Sequence, residues 1–384
     1  MKILFDFISI QGSINGGREY VKRVLETIHL NTIEHSNLFL YALFDSKIPF
    51  IEDDQKKYDS YFVEWIDINK VLSIDECIRQ KRIDVLFIGI LQRYVNRDLS
   101  KVSCKSVVVI HDDGGPEIAR NKIYRLRPYT NWYDFLKRFF KEALDYAGVI
   151  KIEDYSKEID CHKKFLLRSN VFVVTVSEFS KKSIQYNHSF LRKKEINVLY
   201  SPLRNEVGFK PQTDIASLVA NGGQYFVSLG LNRWQKNIKM VLSVFKEFLK
   251  TNPNYYLVTT GAKECLYPHH IGLSYLDDAE LNYVIKNAKA LIYPTYNEGF
   301  GYPPIEAMRF NVPVIASYET SLPEILDSAA LFFSPLHESD LWRQLSLFEK
   351  MDKEMLIGKT KKQYKLISQR QKEDLNILMN LILD

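Results

Sequence analysis

Glu298 and Glu306 bracket a glycine-rich turn that reads EGFGYPPIE. Gly299 and Gly301, with Phe300 between them, allow backbone to approach a ligand closely, and Pro303 and Pro304 after Tyr302 suit the first turn of a helix. A helix start is an anion site, because its first amides and the positive end of its dipole are unpaired within the helix. Ionised carboxylates beside it accept short hydrogen bonds from hydroxyl groups. Phosphate and many hydroxyls on one ligand would satisfy both demands. The same letters also fit a strand-to-helix loop whose glutamates merely favour a helix start. Upstream, SLGLNRWQKN carries Arg233, Lys236 and Asn237. Arginine offers a planar fork and lysine a point charge, a pair suited to a diphosphate, although either also reads as a solvated surface charge. His111 closes the run SVVVIH. A lone strand-end histidine also suits a neutral core position bonded to backbone.

The elements that must carry these residues alternate between short apolar runs and helical patterns. KILFDF at 2–7, NLFLYALF at 37–44, DVLFIGI at 84–90, SVVVIH at 106–111 and VFVVTVS at 171–177 read as parallel strands buried on both faces. Residues 201–224 hold two prolines, three glycines and no sustained period, which marks a linker. Strands then resume at 225–230, 255–261, 290–295, 312–317 and 330–335, with helical patterns between them at Asn237 to Lys250 and Ala279 to Ala288. The expectation is an α/β chain of two Rossmann-like, doubly wound domains at 1–200 and 225–365. A C-terminal helical segment, 366–384, is open to returning to the first domain. Domains of this kind bind ligands at the carboxyl ends of their strands, so a cleft between them is the expected site.

At 384 residues the chain exceeds the size at which one core usually stops growing. Hydrophobic residues at 46% and charged residues at 26% are ordinary globular usage. No apolar run approaches the roughly 20 residues of a membrane span, and MKILFDFISI reads as a core strand instead of a cleaved signal. Cys77, Cys104, Cys161 and Cys265 are widely spaced, which suggests neither a zinc site nor a disulfide framework. A cytoplasmic protein is expected. The net charge of +5 does not point to nucleic acid. It is unevenly placed, however: between 120 and 145, Arg120, Lys122, Arg125, Arg127, Lys137, Arg138 and Lys141 are interleaved with Trp132, Tyr133, Phe135, Phe139 and Phe140. Aromatic and basic residues at helical spacing suit an anionic membrane surface, and also a helix packed on a core.

With these residues in view, EGFGYPPIE resembles the Glu-x7-Glu motif of retaining GT-B glycosyltransferases, especially glycosyltransferase family 4. Further segments resemble that family in order. Asn15, Gly16 and Gly17 resemble its N-terminal glycine loop, and His111 with Asp112 its His-Asp pair. VTVSEFSKKSI resembles the segment before the domain crossing, and SLPEI at 321–325 the segment after the donor loop. Arg233 and Lys236 stand where the family keeps its diphosphate-binding cations. Two departures stand out. Tyr200 to Leu203 replace the family's frequent Asn-Gly at the linker, and Gly261 to Leu276, the region that normally helps hold the base, is short.

The resemblance implies transfer of a hexose from a UDP- or GDP-sugar to a saccharide or lipid-linked saccharide acceptor, with retention, in bacterial-type surface polysaccharide synthesis. The first domain would serve the acceptor and the second the nucleotide sugar. Glu298, His111, Arg233 and Lys236 would be catalytic. Gly16, Gly17, Asn237, Gly299, Phe300, Gly301, Tyr302 and Glu306 would bind the donor, with Glu306 on the ribose. No cofactor is implied beyond the nucleotide sugar as substrate. No metal is implied either, and Asp277 and Asp278 read as helix-capping residues. A peripheral position on the inner membrane face would follow if 120–145 binds lipid. Competing expectations are a catalytically silent sugar-nucleotide or glycan-binding protein on the same fold and a sugar phosphorylase with a pyridoxal phosphate lysine, which no residue marks.

Overall fold

The computed structural model describes residues 1–12, 15–34, 37–51, 53–120, 126–127, 130–146 and 157–384. The chain divides into two compact units. Met1–Ala119, Glu153–Asn205 and Gln369–Asp384 make the first, and Arg120–Ile152 and Glu206–Ser368 the second. Among the described residues the first unit holds β1 (Lys2–Asp6), β2 (Phe39–Phe44), β3 (Glu64–Asp67), β4 (Val85–Ile88), β5 (Lys105–Val109), β6 (Val171–Thr175) and β7 (Ile196–Val198). They form one sheet in the order β3-β2-β1-β4-β5-β6-β7, parallel throughout. The second unit holds β8 (Gln224–Ser228), β9 (Tyr255–Thr260), β10 (His270–Leu273), β11 (Ala290–Tyr293), β12 (Val314–Ser317) and β13 (Ala330–Phe333). Their order is β10-β9-β8-β11-β12-β13, again parallel. In both sheets the order reverses beside the first strand, between β1 and β4 and between β8 and β11. Those are the switch points where doubly wound sheets bind ligands.

All the apolar runs read as strands form strands, because parallel strands covered on both faces must be apolar throughout. Ile3, Leu4 and Phe5 of β1 and Leu86, Phe87 and Ile88 of β4 are fully buried, and Phe5 stacks on Phe87 with ring centroids 5.1 Å apart. In the second unit Phe226 of β8 meets Phe245 and Phe248 of the helix Ile238–Phe248 at 5.4 and 6.1 Å. Three strands, β3, β7 and β10, were not expected, and all three are sheet edges.

The stretch 201–224, expected as a linker throughout, is in part helical: Thr213–Ala220 forms a helix whose Gln212 side chain accepts from Ile215 N at 2.9 Å. Ile215 is fully buried and fastens it. Eight residues are too few for a period to register in the sequence. Asp277 caps the helix Asp278–Lys286 in a capping box with Glu280. The C-terminal residues Lys353–Leu383 form one helix. Trp132–Tyr146 is also helical, with Trp132, Tyr133, Phe139 and Phe140 exposed and Phe135 and Leu136 half-buried. Lys122 and Arg125 lie outside the described residues. Among the described residues no helix is long and apolar enough to cross a membrane.

Candidate functional site

In the second unit, the loops leaving β8 and β11 meet at the switch point. After β8 the chain turns through Gly230 into a short 3-10 turn, Trp234–Lys236, and Asn237 begins the next helix in the left-handed region at φ 49°. After β11, Tyr296 N donates to Gln235 O at 2.9 Å, so the two loops are joined by backbone. Lys236 Nζ is thereby brought against Glu298 Oε1 in a salt bridge in which both side chains are largely buried. The same oxygen accepts from Tyr293 OH at 2.8 Å, and the Thr295 hydroxyl stands 3.0 Å away. Lys236 Nζ also donates to Tyr293 OH at 2.5 Å. Burial, with Glu298 adding to it, holds the Tyr293 phenol well above its usual range, so it stays protonated at neutral pH. Arg233 and Glu306 act on the same phenol through space.

The turn itself is fixed from below. Ser321 Oγ donates to Glu298 O at 3.0 Å and stands 3.3 Å from Phe300 O, while Glu298 N donates to Thr320 Oγ1 at 3.0 Å. Gly301 occupies φ 98°, where an added Cβ would come within 2.8 Å of Leu322 Cδ2. It precedes the helix Tyr302–Arg309. Pro303 and Pro304 have no N–H, so the backbone donors at this helix start are the amides of Gly301 and Tyr302. Gly299, Phe300 and Glu306 are buried and Tyr302 half-buried. Asn237 donates to Pro335 O at 2.9 Å.

The first unit carries the remaining residues. Gly16 and Gly17 open the helix Gly16–Glu34, and Asn15 Oδ1 accepts from Arg18 N at 2.9 Å. Arg18 is committed to Ile10 O, Glu19 and Asp54. His111 follows β5 and shares Gly89 O through Nε2 at 3.0 Å. A carbonyl only accepts, so Nε2 carries the proton. Desolvation pushes the imidazole down to about 4 against the raising effect of that bond, so His111 is neutral at pH 7 with Nδ1 as a lone-pair acceptor. The edge of Tyr20 fixes the ring, centroids 4.7 Å apart.

Glu298 and Lys236 are thus in contact, with Arg233 and Glu306 electrostatically coupled to the same phenol, and His111, Gly16 and Gly17 belong to the other unit. Tyr293, Thr295 and Ser321 escaped sequence reading as site residues. Tyr293 and Thr295 sit in ALIYPT, where alternation could have paired them on one side of the strand end.

The two doubly wound parallel sheets give the chain the GT-B fold. Within it, residues 210–365 match the sequence profile of the Glycosyl transferases group 1 family. The chain is 30% identical over 189 residues to O-antigen chain mannosyltransferase RfbU of Salmonella typhimurium, covering 45% of this chain and 50% of that protein. It is 44% identical over 63 residues to O-antigen chain mannosyltransferase B of Escherichia coli, 16% of either chain. The chain therefore spans half or less of the curated relatives it matches. Among solved structures, Anabaena HepE in complex with UDP and glucose superposes with TM-score 0.66 at 12% identity, over 99% of this chain and 98% of that one. At that identity the likeness concerns the fold.

Proposed function

We propose that this protein is a retaining glycosyltransferase that moves a hexose from a nucleoside diphosphate sugar to a saccharide or lipid-linked saccharide. The observation that carries the reading is the Lys236–Glu298–Tyr293 cluster at the β8/β11 switch point, inside the segment that matches the glycosyl transferases group 1 model. Negative charge grows on the departing diphosphate as the glycosidic bond breaks. Arg233 and Lys236 meet that charge, with amide donors at Gly301 and Tyr302, and no divalent cation is needed for it. Glu298 has one oxygen held by the protein, and its Oε2 takes a hydroxyl of the hexose. Glu306 holds the ribose, Asn237, Gly299 and Phe300 complete the donor-binding residues of the second unit, and Gly16 and Gly17 are the donor-binding residues of the first. His111 accepts a hydrogen bond from a substrate hydroxyl at Nδ1. The names of the relatives favour a mannosyl group, and the HepE complex makes UDP a candidate beside GDP.

The test is a thermal-shift panel of UDP, GDP and their hexose derivatives, followed by release of nucleoside diphosphate with and without EDTA. A shift with one nucleotide and EDTA-resistant turnover that falls by orders of magnitude in Glu298→Ala and Lys236→Ala are expected. No response to any nucleotide, or near-native turnover in either variant, sinks the proposal. Binding without turnover under any acceptor selects a silent binding protein instead.

The same reading places the protein at an anionic membrane surface, where a lipid-linked acceptor is available. The helix Trp132–Tyr146 exposes Trp132 by 71%, Tyr133 by 75%, Phe139 by 57% and Phe140 by 62%, beside the exposed Lys137. Aromatic side chains insert at the headgroup level and cations pair with anionic lipid. Flotation with vesicles containing phosphatidylglycerol is expected at low salt; no flotation there overturns the membrane assignment.

A further inference from the structure

The geometry assigns Asp6 as a positioning residue for His111, acting through the 89–90 peptide and fixing the imidazole as a hydrogen-bond acceptor for a substrate hydroxyl. Asp6 ends β1 and is fully buried. Its Oδ1 accepts from Ser9 N at 3.1 Å and Tyr94 OH at 2.7 Å. Its Oδ2 accepts from Ser9 Oγ, from Gly89 N at 2.9 Å and, at the long distance of 3.4 Å, from Ile90 N. All of these partners are donors and none is a cation. Burial raises the Asp6 carboxyl above its usual range, and the hydrogen bonds from Ser9, Tyr94 and Gly89 oppose that rise.

Two of those donors flank Gly89, and the peptide between Gly89 and Ile90 is engaged at both ends. Its N–H faces the Asp6 carboxylate, and its carbonyl takes the proton of His111 Nε2. A carboxyl oxygen accepting at the N–H end polarises the peptide and strengthens the carbonyl as an acceptor. Residue 89 must be glycine for this: a Cβ there would lie 2.3 Å from Val21 Cγ2 of the helix Gly16–Glu34. The connection therefore runs from β1 across the switch point to the loop after β4, and from there to the end of β5. Its effect is to keep the proton on Nε2 and to leave Nδ1 without a described partner. A neutral imidazole in this tautomer cannot donate at Nδ1, so the ligand group it meets must be a donor, as a sugar hydroxyl is.

This inference rests on the reading of His111 as a substrate contact. It is tested on the full chain labelled with 15N-histidine, with the His111 signals assigned by their loss in His111→Gln. The wild type is expected to show the Nε2–H tautomer from pH 6 to 8. Asp6→Asn should populate the Nδ1–H form and lower kcat about tenfold, with KM for the nucleotide sugar little changed. Tyr94→Phe, which removes one donor from Asp6 and leaves Gly89 in place, should move both readouts in the same direction by less. An Nδ1–H tautomer in the wild type overturns the inference whether or not the Asp6 variant folds, and so do unchanged tautomer and unchanged kcat in a folded Asp6→Asn. Full turnover in His111→Gln instead removes the role of His111 in catalysis, a separate failure that leaves the tautomer result standing.

Discussion

Glu298 Oε1 gathers Lys236 and Tyr293 on one atom, with Thr295 within reach, so the carboxylate cannot rotate without breaking several bonds at once. Tyr293→Phe deletes one donor to Glu298 and the acceptor of Lys236 Nζ while the ring stays in the core. A hydrogen bond to a charged group contributes about 1.5–3 kcal/mol, so turnover should fall roughly 10- to 100-fold with little loss of thermal stability. Steady-state kinetics on the variant check this, and an unchanged kcat removes Tyr293 from the site. Glu298 and Lys236 were singled out in the sequence as charged residues in loops after strands, where each also had a helix-start or surface reading, and the structure brings the two into contact. Tyr293 and Asp6 were not singled out. Each is the last residue of a buried strand, and KILFDF and ALIYPT read as core whatever their final polar atom touches.

Strands were legible wherever an apolar run covers them on both faces, and three of the four sheet-edge strands were not. The Glu64–Asp67, Ile196–Val198 and His270–Leu273 strands are three or four residues long and pair on one side, so no continuous apolar run announces them. The backbone turn before Tyr302–Arg309 is a second matter, since the glycine was visible but its necessity was not. Gly301→Ala places a side chain at φ 98° and against Leu322, and should cost about 1–2 kcal/mol and weaken nucleotide binding. Chemical denaturation and a thermal shift with nucleotide measure the two effects. A different element-level tie was invisible in the sequence. His188 follows the helix Glu178–Asn187 and bonds Asp113 through Nε2 at 3.2 Å and Asp160 through Nδ1 at 2.7 Å, joining it to the starts and ends of two other helices. Burial alone would lower its pKa, but the hydrogen bonds and charges of both aspartates outweigh it and raise the value above 6.5. A raised folded-state pKa gives stability that is fully present below 6.5 and is lost as pH rises through the folded value. The melting temperature should therefore carry a component that declines above pH 6.5 and disappears in His188→Gln; a variant with the wild-type pH profile refutes it.

At the scale of the whole chain, the repeated alternation of strand and helix made two doubly wound sheets legible, because each repeat is long enough for its period to show. The discontinuity of the first unit was harder to read, since it depends on which residues the last helix meets. Lys353–Leu383 is one uninterrupted helix, yet Gln369–Asp384 is counted with the first unit and the residues before it with the second. Specific contacts hold its end within the first unit. Asp374 Oδ2 accepts from Tyr200 N at 2.8 Å, Gln371 Nε2 donates to Ser201 O at 2.6 Å, and the Arg370 guanidinium lies 3.6 Å from the Tyr200 ring centroid. Leu378, Met379 and Ile382 are buried there as well. Burying such a side chain contributes about 1.5–3 kcal/mol, so a chain ending at Ser368 should lose roughly 5 kcal/mol or more from the first unit. Hydrogen exchange locates the loss. Amides of β1, β4, β5 and β6 should exchange faster in the truncated chain while those of β8, β9, β11 and β12 keep their protection, and equal loss in both sheets would show that the helix end does not stabilise the first unit in particular.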